Sequence, residues 1–345
     1  MTTHHILTQQ MTKLGAAFVL ASILGSPANA TDFFAGKTIR LIAPGTDAAG
    51  GYGLYGQLAA HHLSRFIPGH PSIVISQMPG AGGLHAMNYL REVAPRDGTA
   101  IAVIVQDLAA QQVLGIKGVR FDAIRFNYIG RAAANVGVHM IWHSAAVKSI
   151  EDLKQREVIT GTVGTSGNQI DVMRAQNALM DTRWKVITGY RSTSDTRLAM
   201  ERGETQAAIG PATLFSEELK PWLEKGQVNV VVQYGDFRHP IFQDIPTIVE
   251  LADTPMAKDV FKFLVSASTV GRAFAAPPDV PAERVAILRN AFNAMVNDPE
   301  FKADAKKRGA DLLPMPGEEL ADYIKSIVAT PRTVLQKAKE VIGAN

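Results

Sequence analysis

Residues 50–56 read Gly-Gly-Tyr-Gly-Leu-Tyr-Gly, and within them Gly51, Gly53 and Gly56 stand at the spacing of G-x-G-x-x-G. A dinucleotide fingerprint needs its first glycine directly behind a strand and an acidic residue roughly 20 positions on, for the ribose. Neither condition holds. The seven residues 44–50 separate the apolar run ending at Ala43 from Gly51, and the next strand-like stretch closes as Ser76-Gln77-Met78-Pro79 without an acid. A phosphate-binding Walker loop is excluded too, because Gly82-Gly83 is followed by leucine and not lysine. The glycines instead gather in three turns, 44–53, 79–83 and 164–168, each between a strand-like and a helix-like run. Each turn would set the free N–H groups of a helix start at the carboxyl end of a strand. Open α/β sheets bind ligands there, and helix N-termini favour anions. Glycine allows close backbone approach and positive φ. One such turn says little; three suggest a cleft lined with backbone donors, with ordinary tight connections as the competing reading.

Other reactive constellations are weaker. His139 and His143 have the spacing of a helical metal pair, but their apolar surroundings read as strand, where such positions lie roughly 13 Å apart. His61 and His62 fall in an amphipathic helix and diverge by about 100°, so the spacing argues against one shared metal. His85, just behind Gly83, faces either the cleft or a helix surface. Ser166 between Thr165 and Gly167 lacks the final spacer of a G-x-S-x-G elbow, so an exported hydrolase using Ser166 or a histidine stands only as an alternative. With no cysteine, thiolate metal sites, cysteine nucleophiles and disulfides are all excluded. No cofactor or metal is expected. The densest basic run, Lys306-Lys307-Arg308, sits late in an expected helix, where it complements the dipole, so no nucleic acid is expected as partner. Aromatic walls for a cleft come from Tyr52, Tyr55, Trp142, Tyr190 or Tyr234, with Tyr52 foremost because it sits between the glycines.

The elements that must position these residues alternate. The 345-residue chain is 46% hydrophobic, enough for one large or two medium domains. Lys13, the apolar run 14–24 and Ala28-Asn29-Ala30 read as a signal peptide over 1–30, cleaved after Ala30, so the mature chain 31–345 is expected to be exported. Its removal takes the one charge Lys13, so the formal +3 becomes +2. Strand-like 39–43, 72–76 and 100–105 alternate with helix-like 54–66 and 84–92. Strand-like 158–163, 184–187, 206–209 and 228–232 alternate with helix-like 170–180 and 193–202. This order predicts two α/β lobes with largely parallel sheets. Helical segments close the chain, with Asp298-Pro299 and Thr330-Pro331 as expected N-caps.

The chain resembles the periplasmic solute-binding proteins of tripartite tricarboxylate transporters, the Bug or TctC-like receptors. The resemblance runs through Lys37-Thr38-Ile39-Arg40-Leu41-Ile42, Met78-Pro79-Gly80-Ala81-Gly82-Gly83, Ala94-Pro95-Arg96-Asp97-Gly98-Thr99 and Phe126-Asn127-Tyr128-Ile129-Gly130. It continues through Gly189-Tyr190, the 198–204 segment, Asp244-Ile245-Pro246-Thr247 and Ala275-Ala276-Pro277-Pro278. It implies a two-lobe, type II-like periplasmic-binding-protein fold with the ligand cleft between lobes: lobe one from 31–130 plus 240–345, lobe two from 131–239. It implies a monomeric receptor, not an enzyme, that closes on a small carboxylate and delivers it to membrane transporter subunits. A sensor presenting its ligand to a membrane kinase is the other role this fold allows. Carried over, Gly50, Gly51, Tyr52 and Gly53 cradle one end of the ligand, and Gly80, Ala81, Gly82 and Gly83 offer amides nearby. Thr165, Ser166, Gly167 and Asn168 hold the other end, with Asp195 beside them. Gly53 stands where the family usually has aspartate, and Ile170 where it often has serine. Those losses point to a less polar pocket, for a ligand with one carboxylate and an apolar or aromatic remainder.

Overall fold

The computed structural model describes residues 33–45, 51–163 and 167–343. Eleven strands form two sheets: β1 (Thr38–Ala43), β2 (Ser72–Gln77), β3 (Ala100–Val103), β4 (Asn127–Ala133), β5 (Gly137–Trp142), β6 (Val158–Val163), β7 (Trp184–Tyr190), β8 (Ala207–Pro211), β9 (Val228–Tyr234), β10 (Arg272–Ala276) and β11 (Met315–Pro316). The six-stranded sheet has the order β11-β4-β10-β3-β1-β2 and the five-stranded sheet β7-β6-β8-β5-β9. β1 pairs in parallel with β2 and β3, while β10 runs antiparallel to both β3 and β4. In the second sheet β6 is parallel to β7 and β8, and β5 is antiparallel to β8 and β9. The two α/β lobes expected from the alternation are therefore present, but their sheets are mixed and not largely parallel: β10, β11 and β5 pair antiparallel with their neighbours.

Side-chain pattern explains strand position. Ile39, Leu41, Ile42 and Ala43 of β1 are all buried, as a central strand covered on both faces requires. β2 lies at the sheet edge, and its Val74 is 57% exposed. One core fills the face of the first sheet around Phe34, Leu58, Phe274, Phe292 and Phe301. A second begins on the opposite face around Met87 and Leu90 and runs on into the second lobe through Ile141, Val158 and Trp184. Each fully buried large side chain contributes roughly 1.5–3 kcal/mol.

The chain passes between sheets at 134–136, and again after Tyr234, returning through helix Pro255–Val270 to β10. The two passages touch. The Asn135 N–H donates to Ser268 O at 2.8 Å. Gly271, at φ 55° and ψ −123°, turns the helix end into β10 directly beneath Ala133 and Ala134. The last helix, Arg332–Ile342, packs on helices Asn168–Met180 and Pro255–Val270, and Arg174 Nη1 donates to Ile342 O at 2.9 Å.

The two expected proline caps differ. Asp298 caps the helix that follows it, accepting from the Phe301 N–H at 2.8 Å. Thr330 does not repeat the device: its hydroxyl donates back to Ile327 O at 2.6 Å, closing the preceding helix, and Pro331 takes the cap position. The first helix begins at Gly51, not at Leu54, so the glycines of the opening motif lie inside its first two turns. The signal peptide expected over 1–30 lies outside the described residues, among which no helix is long and apolar enough to cross a membrane.

Candidate functional site

β3, β10 and β4 are neighbours in the first sheet, so their ends bring Gln106, Arg272 and Asn135 side by side. Arg272 Nη1 donates to Gln106 Oε1 at 2.8 Å, and Asn135 Nδ2 reaches the same oxygen at 3.2 Å. The Gln106 N–H donates to the Tyr52 hydroxyl at 3.1 Å, and the guanidinium carbon lies 4.9 Å from the Tyr52 ring centroid. Burial pushes the Tyr52 phenol upward, which keeps it neutral. A cavity of about 330 Å³ opens beside this group, within the range of small-ligand sites. Its other wall comes from the second sheet and the helices behind it: Asn168, Val172, Thr193, Ile209, Pro211 and Tyr234. A smaller hollow of about 190 Å³ lies on the far side of Arg272, bounded by Gly51, Tyr55 and Asp311. The cavity occupies the space between the carboxyl ends of parallel strands of both sheets, where open α/β folds place ligands.

Tyr234 is fixed from behind. Its hydroxyl accepts from Gln176 Nε2 at 2.8 Å and lies 2.6 Å from His139 Nδ1. His139 Nε2 lies 3.0 Å from Thr160 Oγ1, and the ring stacks on Trp184 at 3.9 Å and 11°. Complete burial pushes the His139 pKa down to about 3, so the imidazole is neutral. With its polar end engaged by buried partners, Tyr234 offers the cavity mainly its ring.

The structure brings some expected residues together and separates others. Gly51 sits against Arg272: a Cβ built there would lie 2.8 Å from both Nε and Nη2. Tyr52 joins the polar group through Gln106, and Gly53 is buried in the same helix turn. Asn168 lines the cavity, but its Nδ2 donates to Leu264 O at 2.6 Å. Gly167, at φ 120°, precedes it as the helix N-cap. Gly50, Thr165 and Ser166 lie outside the described residues. The turn at Gly80, Ala81, Gly82 and Gly83 has positive φ at all four positions and lies outside the residues bounding the cavity. Its Gly83 N–H is taken by Gly80 O at 2.9 Å, and a Cβ at Gly83 would meet Val105 at 2.1 Å, so Gly83 itself serves close packing beside β3. Asp195 faces a separate depression with Tyr190 and Leu198, its carboxylate 3.7 Å from Arg191 Nε, while Thr193 of the same helix reaches the cavity. Arg272, Gln106 and Asn135 escaped the sequence reading. The available signal was Arg272 itself, the single charge between Lys262 and Asp279.

His61, His62 and Asp304 offer ligand atoms within 4.8 Å of one another, closer than the helical spacing suggested. Both nitrogens of His62 are engaged: Arg65 Nη2 donates to Nδ1 at 2.9 Å, and Nε2 meets Asp304 at 3.0 Å. Arg308 and then His62 hold the Asp304 carboxyl down at about 2. With two guanidinium groups against it, this cluster is a joint between helices Gly51–His62 and Pro299–Lys307 rather than a cation site.

Residues 59–339 match the profile described as tripartite tricarboxylate transporter family receptor. A UPF0065 protein encoded in the gbd 5′ region of Cupriavidus necator is 21% identical over 332 residues, 94% of each chain. A TctC solute-binding protein from Polaromonas, solved without ligand, superposes with a TM-score of 0.68 at 16% identity, covering 90% of this chain and 99% of that one. An adipate-bound protein of R. palustris gives 0.59 at 19% identity, covering 89% and 97%. MatC of Rhodopseudomonas palustris, solved with malate, gives 0.55 at 16% identity, covering 89% and 99%. The fold is thus the two-lobe fold of solute-binding proteins. The match over most of its length shows that this chain belongs to the TctC family of tripartite tricarboxylate transporter receptors, a family of receptors and not of enzymes.

Proposed function

We propose that this protein is an exported receptor that captures a small carboxylate in the cleft between its lobes, closes on it by a hinge motion, and hands it to the membrane subunits of a tripartite transporter. The observation that carries the reading is the cavity of about 330 Å³ with a guanidinium on one wall and an aromatic ring on the other, each from a different sheet. Lobe one is taken as 31–130 plus 240–345 and lobe two as 131–239, with the passages at 134–136 and after Tyr234 as the hinge. Gly50, Gly51, Tyr52 and Gly53 serve the ligand from lobe one, and Thr165, Ser166, Gly167 and Asn168 from lobe two; Gly80 to Gly83 and Asp195 are kept as contributors in the closed form. The similar structures solved with adipate and with malate support a carboxylate as ligand. Charge-assisted hydrogen bonds are worth about 1.5–3 kcal/mol each, so a few of them with apolar burial bring affinity to the micromolar range, about −8 kcal/mol.

Thermal unfolding of residues 31–345 against mono-, di- and tricarboxylates tests the reading. A ligand at a hundredfold its Kd stabilises the native state by about 2.7 kcal/mol, so one acid class should raise the Tm in a dose-dependent way. An unshifted Tm across the whole acid panel refutes it.

A further inference from the structure

We infer that Arg272 is the specificity-determining residue of this cleft: the Nε–Nη2 edge of its guanidinium takes the one carboxylate of a ligand whose remainder is uncharged. This rests on the carboxylate-receptor reading above and narrows it to a substrate class.

Arg272 is half-buried at the junction of the larger cavity and the smaller hollow. Its Nη1 is engaged by Gln106, and one face lies over Tyr52. Nε and Nη2 have no partner among the described residues, and no carboxylate among them lies within 4.0 Å of the guanidinium. These two N–H groups form a planar fork that matches a carboxylate with two parallel hydrogen bonds. Gly51, which bounds the smaller hollow, places no side chain over that fork, since any side chain there would start 2.8 Å from both nitrogens. Gly271 supplies the turn that aims the residue, with its backbone against Ala133 O. A guanidinium drawn out of water without an acid beside it is costly unless an anion joins it.

The remaining walls decide what else the ligand carries. Among the described residues bounding the larger cavity, Arg272 is the only charged one. Amides and hydroxyls complete the polar part, and Val172, Ile209, Pro211 and the Tyr234 ring make the rest. An ammonium group finds no acid there, which disfavours amino acids. A second carboxylate finds no second cation and loses its hydration without replacement. Asp311, which bounds the smaller hollow with Gly51, is paired with His239 at 3.2 Å. At about 30 Å³ per water-sized group, the larger cavity has room for roughly ten non-hydrogen atoms.

Calorimetric titration of residues 31–345 with two matched series tests this: hexanoate, adipate and hexanamide, then benzoate, terephthalate and benzamide. In at least one series the single acid should bind at least tenfold more tightly than both its diacid and its amide. Arg272→Gln should weaken that acid at least tenfold, and Arg272→Lys, which keeps the charge and loses the fork, should fall between. A diacid that equals or beats the single acid in every series where an acid binds overturns the inference and leaves the receptor reading standing. So does a folded Arg272→Gln that binds the single acid within twofold of the unsubstituted chain. Amides binding as well as acids, or none of the six compounds binding, overturns both. If Arg272→Gln does not fold, the matched series on the unsubstituted chain decides.

Discussion

Gly271→Ala should be among the most damaging single-methyl additions in this protein. A Cβ at Gly271 would stand 2.2 Å from Ala133 O, 2.8 Å from Ala134 Cα and 3.1 Å from Ala133 C. All three are backbone atoms at the end of β4 and the start of the first passage between sheets, held by the Asn135 to Ser268 hydrogen bond, so no side-chain rotation relieves the overlap. The residue also has φ 55° with ψ −123°, a region that costs an L-residue about 1–3 kcal/mol. Overpacking adds about 1–3 kcal/mol. Lower entropy of the unfolded chain returns about 0.4–1 kcal/mol. The net loss is about 1–6 kcal/mol, centred near 3 kcal/mol. With an unfolding entropy of about 2.1 cal/mol/K per residue over a 345-residue chain, a loss of about 3 kcal/mol lowers the Tm by about 4 °C. Gly226→Ala is the comparison, because Gly226 has φ 64° with nothing within 4 Å of a built Cβ. It carries only the conformational cost, about 1 kcal/mol. Urea unfolding of both variants reads the difference. Equal losses, within about 0.5 kcal/mol, would refute the contact argument and with it the tight apposition of the two passages.

Gly130→Ala should cost about 1–3 kcal/mol, since its Cβ would fall 2.2 Å from Cε1 of the buried Phe292. Phe292→Leu in the same chain should make the pair less than additive in denaturant unfolding, and strict additivity would argue against the contact. Gly51→Ala should leave the Tm unchanged or slightly higher, because alanine favours the helix by up to about 1 kcal/mol. The same change should weaken acid binding at least about fivefold by crowding Arg272, and unchanged affinity in titration would sink that account. Buried His139 should make stability fall as pH falls. Its pKa is pushed down to about 3 in the native chain and is about 6.5 when unfolded, so between those values the unfolded chain binds the extra proton. Between pH 6 and 5 this amounts to about 1 kcal/mol of lost stability. His139→Gln should flatten that interval in denaturant titrations, and parallel slopes for the two proteins would count against a neutral buried imidazole.

The fold was legible where pattern and period coincide. The Ile39-Arg40-Leu41-Ile42-Ala43 run marked a central strand, and Asp298-Pro299 marked a helix start. The first turns of helix Gly51–His62 were obscured because glycine is a poor helix former. The structure places Gly51 against Arg272 and sets Gly56 on Val103, where a Cβ would lie at 3.6 Å. Both contacts join segments distant in sequence, and no local window reports them. The site divides the same way. Tyr52 and Asn168 could be read from their turns. Gln106, Asn135 and Arg272 meet only because β10 inserts between β3 and β4, a pairing of segments far apart along the chain. Glycine-rich turns signal places where backbone must bend or approach closely, but they do not say whether the neighbour is a ligand or a side chain. At Gly83 the neighbour is a side chain, that of Val105.

The second wall of the cleft is held by more than its own sheet. Helix Asn168–Met180 carries Asn168 and Val172 to the cavity, and it is fastened at three points along its length. Asn168 binds Leu264 O, Arg174 binds Ile342 O of the last helix, and Gln176 bridges Trp184 Nε1 at 2.9 Å to the Tyr234 hydroxyl. Bending this wall would break buried hydrogen bonds, each costing about 1–3 kcal/mol when left unpaired. Asn168 and Arg174 bind residues of the segment 240–345, so closure of the proposed kind must carry helix Pro255–Val270 and the last helix along with this wall. A preformed wall lowers the ordering cost that a ligand meets on binding. It also restricts which ligands favour the closed form, because a ligand shifts the equilibrium only by its difference in affinity for the two forms. A carboxylate on Arg272 touches the first lobe in either form. Closing adds the packing of the ligand's uncharged remainder against Val172, Ile209 and Tyr234, so the apolar end of the ligand, more than its charge, decides whether the lobes shut.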